Sequence, residues 1–397
     1  MKLYKNLVNA LALTLQDIIK DKRYADKALE RQFKQHPQWG SRDRRFIAEG
    51  VYDIVRYYRL YAHLAQSENN FWFITAVWLI VKGHELPDWP EFVHVNVDWI
   101  KKEHAKAQSV FALAESYPDW LIERVQNELG EQSANTELRA MNEIAPVFLR
   151  VNTLLCSKKQ CMAELVKAGI EVQELPDLDN ALRMLKRENI FSQKLFKQGW
   201  IEVQDAGSQL IGEFVKPLAN QTIIDACAGA GGKTLHLAAL LKNKGKIISM
   251  DVEAWKLEEL KKRAKRASAH NIETRVIEGA KTIKALSERA DKVLMDVPCS
   301  GTGVFKRNPD AKWKLSNEVI EKTQAIQKEI ISTYHQMLKP GGELIYSTCS
   351  ILPSENEKTV QAFLASHPQL QFIEEKHVLP SSGSDGFYMA RLKKLST

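Results

Sequence analysis

Three short stretches of this 397-residue chain hold residues whose types and spacing could do chemistry. The first is Asp225-Ala-Cys-Ala-Gly-Ala-Gly-Gly-Lys-Thr234, placed between an apolar strand pattern and a helical one. Its glycines let a ligand approach the backbone, and the helix start behind them offers free N–H groups. A phosphate loop would need Gly where Cys227 stands, and a dinucleotide fingerprint anchored on Gly229 and Gly231 would need Gly or Ala at Thr234. S-adenosylmethionine is the third ligand class, its methionine part lying along such a loop. Asp251 follows Gly232 by nineteen residues, at the end of the next strand pattern. An acid there can hold both ribose hydroxyls of an adenosyl group; by itself it could equally cap the following helix.

The other two stretches carry thiols. Asp296-Val-Pro-Cys-Ser-Gly301 and Ser347-Thr-Cys-Ser350 each follow a strand pattern, which puts Cys299 and Cys349 just past strand C-terminal ends. Open α/β sheets keep their active sites there. A thiolate suits a pyrimidine, whose carbon 5 is too weak a nucleophile to take a methyl group unaided. Thiolate addition at carbon 6 makes an enamine, and carbon 5 can then attack a methyl sulfonium. A carboxyl group such as Asp296 would steady ring nitrogen 3, and a base must remove the carbon-5 proton before the thiol leaves. Chemistry alone does not say which cysteine adds.

These residues need a scaffold. Strand patterns at 222–225, 246–251, 273–277, 292–296, 342–346 and 387–392 alternate with helical ones after Thr234, at 254–269, at 317–338 and after Ser354. Such alternation predicts an α/β, doubly wound, mostly parallel sheet over 219–397. Residues 146–218 read as a small α+β segment with strands at 147–152, 170–175 and 200–203 and a helix capped by Ser157. Residues 1–140 read as helix after helix, beginning with Leu7, Leu11, Leu15 and Ile18 at helical spacing.

Composition narrows the class. Lys plus Arg is 56 against 49 Asp plus Glu, so the net charge of +7 fits a polyanionic partner without requiring one. Five cysteines with no CxxC pair, and ten histidines with no HxxxH pair, give no disulfide framework and no metal site. The longest strongly apolar run, Phe71 to Val81, is eleven residues, against roughly 18 for a membrane span. A cytoplasmic monomer is the expectation.

Taken together, DACAGAGGKT, DVPCSGTG, RNPDAKW and YSTCSILPSENE resemble the ordered motifs of the Sun-type (RsmB-like, or Fmu) RNA cytosine-5 methyltransferases. The likeness extends to Leu149-Arg-Val-Asn-Thr153, to Gly199-Trp-Ile-Glu-Val-Gln-Asp205 and to the closing Asp385-Gly-Phe-Tyr-Met-Ala-Arg391. Ser41 to Glu49 and Ser116 to Leu121 resemble the NusB-like domain of the bacterial ribosomal RNA members.

The resemblance implies a class I (Rossmann-like) methyltransferase sheet, preceded by a NusB-like all-α domain and the α+β segment. It implies S-adenosylmethionine as cofactor and RNA, 16S ribosomal RNA above all, as substrate. Cys349 matches the family's nucleophile and Cys299 the cysteine that assists breakdown of the adduct, with Asp296 beside them. Cofactor contacts fall to Cys227, Ala228, Gly229, Ala230, Gly231, Gly232, Lys233, Asp251 and Asp296. Two departures stand out: Ala230 replaces the family's usual Pro, and Ala280 replaces its adenine-binding Asp. Glu278 is the expected substitute, because on a continuing strand 278 and 280 would share a face.

For RNA, Lys306, Arg307 and Lys312 around Trp313 combine positive charge with a stacking ring, which suits a splayed single-stranded base. The basic run between Lys256 and Arg266 reads as a solvated outer helix. Two rivals remain at this level. One is a binding protein on a vestigial catalytic fold, against which intact Cys299, Cys349, Asp251 and Asp296 argue; the other is an NAD-linked oxidoreductase.

Overall fold

A computed structural model describes residues 2–396, which separate into two compact units. The first holds the N-terminal helices through Glu143 and also the distant segment Val304–Asn317. The second holds Ile144–Gly303 and Glu318–Thr397, so the α+β segment and the large sheet form one unit.

In the helical unit, Leu7, Leu11, Leu15 and Ile18 line the buried face of the helix Lys5–Ile19. The helix Phe71–Val81 is apolar all round, as its sequence demands, and is buried along most of its length. Asn70 caps it by accepting from the Phe73 N–H at 3.1 Å. Among the described residues no helix is long and apolar enough to cross a membrane.

The second unit has two sheets. Strands β1 (Phe148–Val151), β2 (Val172–Leu175), β3 (Leu178–Met184) and β4 (Ile201–Val203) form an antiparallel sheet in the order β2-β3-β1-β4. Ser157 caps the helix Lys158–Lys167 in a capping box with Gln160, as its spacing predicts.

Strands β5 (Thr222–Asp225), β6 (Lys246–Asp251), β7 (Ile272–Val276), β8 (Ala290–Asp296), β9 (Leu338–Thr348), β10 (Leu370–Val378) and β11 (Phe387–Lys394) form the large sheet. Its order is β10-β11-β9-β8-β5-β6-β7. Strands β7, β6, β5, β8 and β9 run parallel, while β10 and β11 close the edge antiparallel. From β5 the chain winds first through β6 and β7, then returns to β8 and β9 on the other side. The loops leaving β5 and β8 therefore diverge and open a crevice at the carboxyl edge.

The mostly parallel sheet agrees with the sequence reading, but two strands escaped it. Strand β10 is an edge strand, largely solvent-facing between buried Leu370 and Val378, and its exposed face hides the alternation. Strand β3 follows β2 across only Pro176 and Asp177, where the sequence suggests an ending rather than a hairpin.

Candidate active site

The glycine loop leaves β5 at Asp225 and enters the helix Gly232–Leu240. Gly231 has φ +85°, and a Cβ there would lie 2.5 Å from Leu260 Cγ, so no other residue fits without displacing that side chain. The loop is braced on both sides. Asp251 Oδ2 accepts from the Gly229 N–H at 2.9 Å, and Oδ1 from the Glu253 N–H at 2.9 Å. Arg263 Nη1 donates to the Ala230 carbonyl at 2.8 Å, and Arg150 Nη1 to the Gly232 carbonyl at 2.7 Å.

The segment ahead of the glycine loop supplies one brace, Arg150, and holds another, Arg263. Glu202 on β4 is 3% exposed and pairs with Arg263 at 2.9 Å and with Arg266. Arg150 on β1 is buried and also donates to Gln204. Burial, with like charge from Arg263, lowers its pKa to about 10 despite the opposing pull of Glu202. Sequence reasoning gave Arg150 and Glu202 no role. The signal was there: each interrupts a short apolar strand with a charge, which must find a buried partner. Arg263 and Arg266 likewise correct the reading of their helix as a solvated face only.

At the sheet's carboxyl edge, Lys233 Nζ meets Asp296 Oδ2 at 2.5 Å, and Ser347 donates to Asp296 Oδ1 at 3.1 Å. Asp296 and Ser347 are register partners across β8 and β9, which places Cys349 just past the carboxylate. Burial works against the Lys233 charge, but the attraction and hydrogen bond of Asp296 outweigh it and raise the pKa. Behind them, burial pushes Asp225 up to about 6, although Thr234 donates to it at 2.7 Å. Burial also raises the Cys227 thiol well above its usual range, with Asp225 and Asp296 adding to the effect.

The two thiols meet. Cys299 Sγ lies 3.2 Å from Cys349 Sγ and accepts from the Cys349 N–H at 3.3 Å. The hydrogen bond to Cys349 and then burial hold the Cys299 thiol well above its usual pKa. The Cys299 thiol thus holds its proton. Fifty residues of sequence separate the pair, and only adjacency of β8 and β9 joins them.

Two expectations need correction. Strand β7 ends at Val276, Gly279 turns the chain at φ +137°, and Ala280 opens the helix Ala280–Lys284. Glu278 is therefore an exposed loop residue, and the shared strand face with position 280 does not exist.

The basic stretch at 304–317 is not a free loop, because it belongs to the helical unit. Lys306 and Lys312 are 2% and 1% exposed. Lys306 reaches Glu143 at 3.4 Å, Lys312 reaches the Asn142 side-chain oxygen at 3.3 Å, and Trp313 Nε1 donates to the Val55 carbonyl at 2.6 Å. Lys306, Lys312 and Trp313 are committed to packing, and Arg307 is half-buried. The physical reason is long-range. Phe305 is buried against Tyr117, so the run folds inward and takes its lysines with it.

Strand order and crevice define a Rossmann-like α/β unit. Residues 213–393 match the model of the 16S rRNA methyltransferase RsmB/F family, and residues 117–190 that of the RsmF/B-like ferredoxin-like domain. The ribosomal RNA small subunit methyltransferase B of Proteus mirabilis is 35% identical over 289 residues, covering 70% of this chain and 66% of its own. A probable ribosomal RNA small subunit methyltransferase B of Synechocystis is 28% identical, covering 96% of this chain and 98% of its own. The crystal structure of PH0851 superposes with a TM-score of 0.83 at 26% identity, covering 99% of this chain and all of that one. The chain belongs to the RsmB/F family of methyltransferases.

Proposed function

We propose that this protein transfers a methyl group from S-adenosylmethionine to carbon 5 of a cytosine in small-subunit ribosomal RNA, through a covalent bond from Cys349 to carbon 6. The observation that carries the reading is the pair of thiols 3.2 Å apart, beside the Lys233–Asp296 ion pair at the carboxyl edge of the sheet.

The residues fit an adenosyl cofactor. A Cβ added at Gly229 or Gly232 would meet only open space, so the loop has an accessible backbone face. Asp251 stands at the β6 tip for the ribose, and the next residue, Val252, exposes an apolar side chain suited to a base. Cys227 to Lys233 line the methionine end. Glu278 offers an exposed carboxylate for the exocyclic amine of adenine, in place of the acid that Ala280 lacks. When bound, the cofactor supplies an electrophilic methyl on a positively charged sulfur.

The protein's own part follows from its groups. The Cys349 sulfur bonds to carbon 6, and the pair from the 5,6 double bond makes carbon 5 the nucleophile for the methyl carbon. Lys233 and Asp296 hold the ring edge, the ammonium facing developing negative charge. After transfer, a base takes the proton from carbon 5. The returning electron pair restores the double bond and expels Cys349, with the protonated Cys299 at hand to the leaving sulfur.

Labelled methyl transfer to 16S ribosomal RNA, with the modified cytosine mapped, tests the whole reading. Cys349→Ala is expected to abolish transfer. Cys299→Ala is expected to accumulate a protein–RNA adduct that survives denaturing electrophoresis. If Cys349→Ala traps the adduct instead, the two roles are exchanged; if wild type labels no cytosine, the reading fails.

A further inference from the structure

The thiols sit on separate loops, and something must hold those loops in register. The Cys299 loop leaves β8, and the Cys349 loop leaves β9 and runs to Asn356. Glu355, near the far end of the second loop, is fully buried at 0% exposure. Its carboxylate turns back onto the first loop. Oε1 accepts from the Ser300 N–H at 2.8 Å, and Oε2 accepts from the Ser300 hydroxyl. Ser300 is the residue next to Cys299. Gln327 spans the same contact, donating to Glu355 Oε1 at 3.0 Å and to the Pro298 carbonyl at 2.9 Å. Glu355 therefore grips both flanks of Cys299, one directly and one through Gln327.

Further stitches join the loops: the Ser300 hydroxyl lies 3.3 Å from the Ser350 hydroxyl, and others follow beyond Ser300. Thr302 and Ser350 share a hydroxyl contact at 2.9 Å, and the Gly303 N–H donates to the Cys349 carbonyl at 3.0 Å. A Cβ on Gly303 would lie 2.9 Å from that same carbonyl, so the loops touch backbone to backbone. Tyr346 on β9 donates to the Glu355 carbonyl at 2.8 Å and anchors the acid from behind.

A buried carboxylate is costly unless it is fully hydrogen-bonded, and this one spends its acceptors on the Cys299 loop and its brace. We infer that Glu355 is a positioning residue, which fixes the Cys299 loop against the Cys349 loop and so sets the spacing of the two thiols. Its charge also adds to the influences, after the Cys349 hydrogen bond and burial, that keep Cys299 protonated. The catalytic meaning of this spacing rests on the reading given under Proposed function; the spacing itself does not.

The test uses the full-length protein and a readout that needs no RNA. Diamide takes one hydrogen from each of two thiols and becomes a hydrazine as the S–S bond forms. Peptide mass mapping then follows the rate at which Cys299 and Cys349 join. Glu355→Gln keeps the size but puts an amide N–H₂ where an acceptor is needed. It is expected to slow closure by about tenfold, in keeping with the sensitivity of reacting pairs to misplacement. Ser300→Ala, which keeps the backbone N–H bond to Glu355 and loses the hydroxyl contacts to Glu355, Thr302 and Ser350, is expected to slow it less.

In turnover, Glu355→Gln lowers kcat while the KM values for RNA and S-adenosylmethionine hold, and the covalent RNA adduct accumulates. Circular dichroism and thermal melts check that each variant is folded; if Glu355→Gln is not, Ser300→Ala alone decides. Closure at the wild-type rate in a folded variant overturns the proposal. Slow closure together with a wild type that methylates no cytosine upholds the positioning role and overturns the functional reading instead.

Discussion

Two lysines, one in each unit, each sit in a recognisable motif and end in opposite electrostatic states. Lys233 follows the glycine loop and Lys312 lies in the RNPDAKW motif. Both lose most of their water, a loss that favours the neutral amine. Lys233 faces the Asp296 carboxylate at 2.5 Å, and its pKa rises. Lys312 has the neutral Asn142 amide oxygen at 3.3 Å and the Tyr117 ring at 4.0 Å, and its pKa falls well below the usual value. Burial comes first, and like charge from Arg56 adds to it. A lysine in a motif is thus a charge to be used only where a fixed anion keeps it ionised. Elsewhere it is a long side chain serving as packing.

The largest break in this comparison is Lys233→Met. Removing the cation leaves Asp296 without its partner, and methyl transfer is expected to fall about 10²–10³-fold, as for loss of one preorganised donor. Folding stability is expected to fall by roughly 3 kcal/mol, the low end for breaking a buried pair, because Asp296 keeps some water. Single-turnover assays and denaturant melts check both. Unchanged activity would mean that the pair is structural only.

Lys312→Met should do the reverse. It replaces a desolvated amine with an apolar chain of similar length, and a gain of about 1–2 kcal/mol is expected. The sign with pH follows from the lowered pKa. Between the folded value and the unfolded value near 10.4, the unfolded chain binds more protons, so stability rises with pH across that window. The contribution is complete above the unfolded value and is lost as pH falls through the folded one. Melts from neutral to alkaline pH should show this slope in wild type and a flatter one in Lys312→Met. Equal slopes would show that Lys312 stays charged in the fold.

Smaller still is Trp313→Phe, which removes the bond to the Val55 carbonyl and keeps most of the ring packing. A loss of about 1 kcal/mol is expected from the thermal midpoint. At the bottom of the scale, Lys312→Met should leave the salt dependence of RNA binding unchanged. A drop of about one unit in slope would return this lysine to a phosphate contact.

The same contrast explains what was legible beforehand. The glycine loop, Asp251, Asp296 and both cysteines were readable because each is tied to a strand end, and strand ends follow from local pattern. Strand alternation likewise predicted the parallel sheet. The burial of Lys306, Lys312 and Trp313 was not legible because it depends on Tyr117, Asn142 and Val55, which are remote in sequence. The shared face of Glu278 and Ala280 was misread because one glycine at φ +137° ends the strand geometry that the face argument needed. Glu355 went unnoticed in the midst of a motif, since nothing local says that its carboxylate turns back onto Ser300.

The sequence by itself determined which residues could do chemistry and on which kind of element each would sit. Local periodicity and the special conformations of glycine act over a few residues, and a reader can follow them. Tertiary structure decided which of those residues meet. The order β9-β8-β5-β6 brings Cys349, Cys299, Asp296, Lys233 and Asp251 to one edge across more than a hundred residues of chain. It also decided which charges survive burial, because ionisation in a dry interior depends on a partner that only the folded chain supplies.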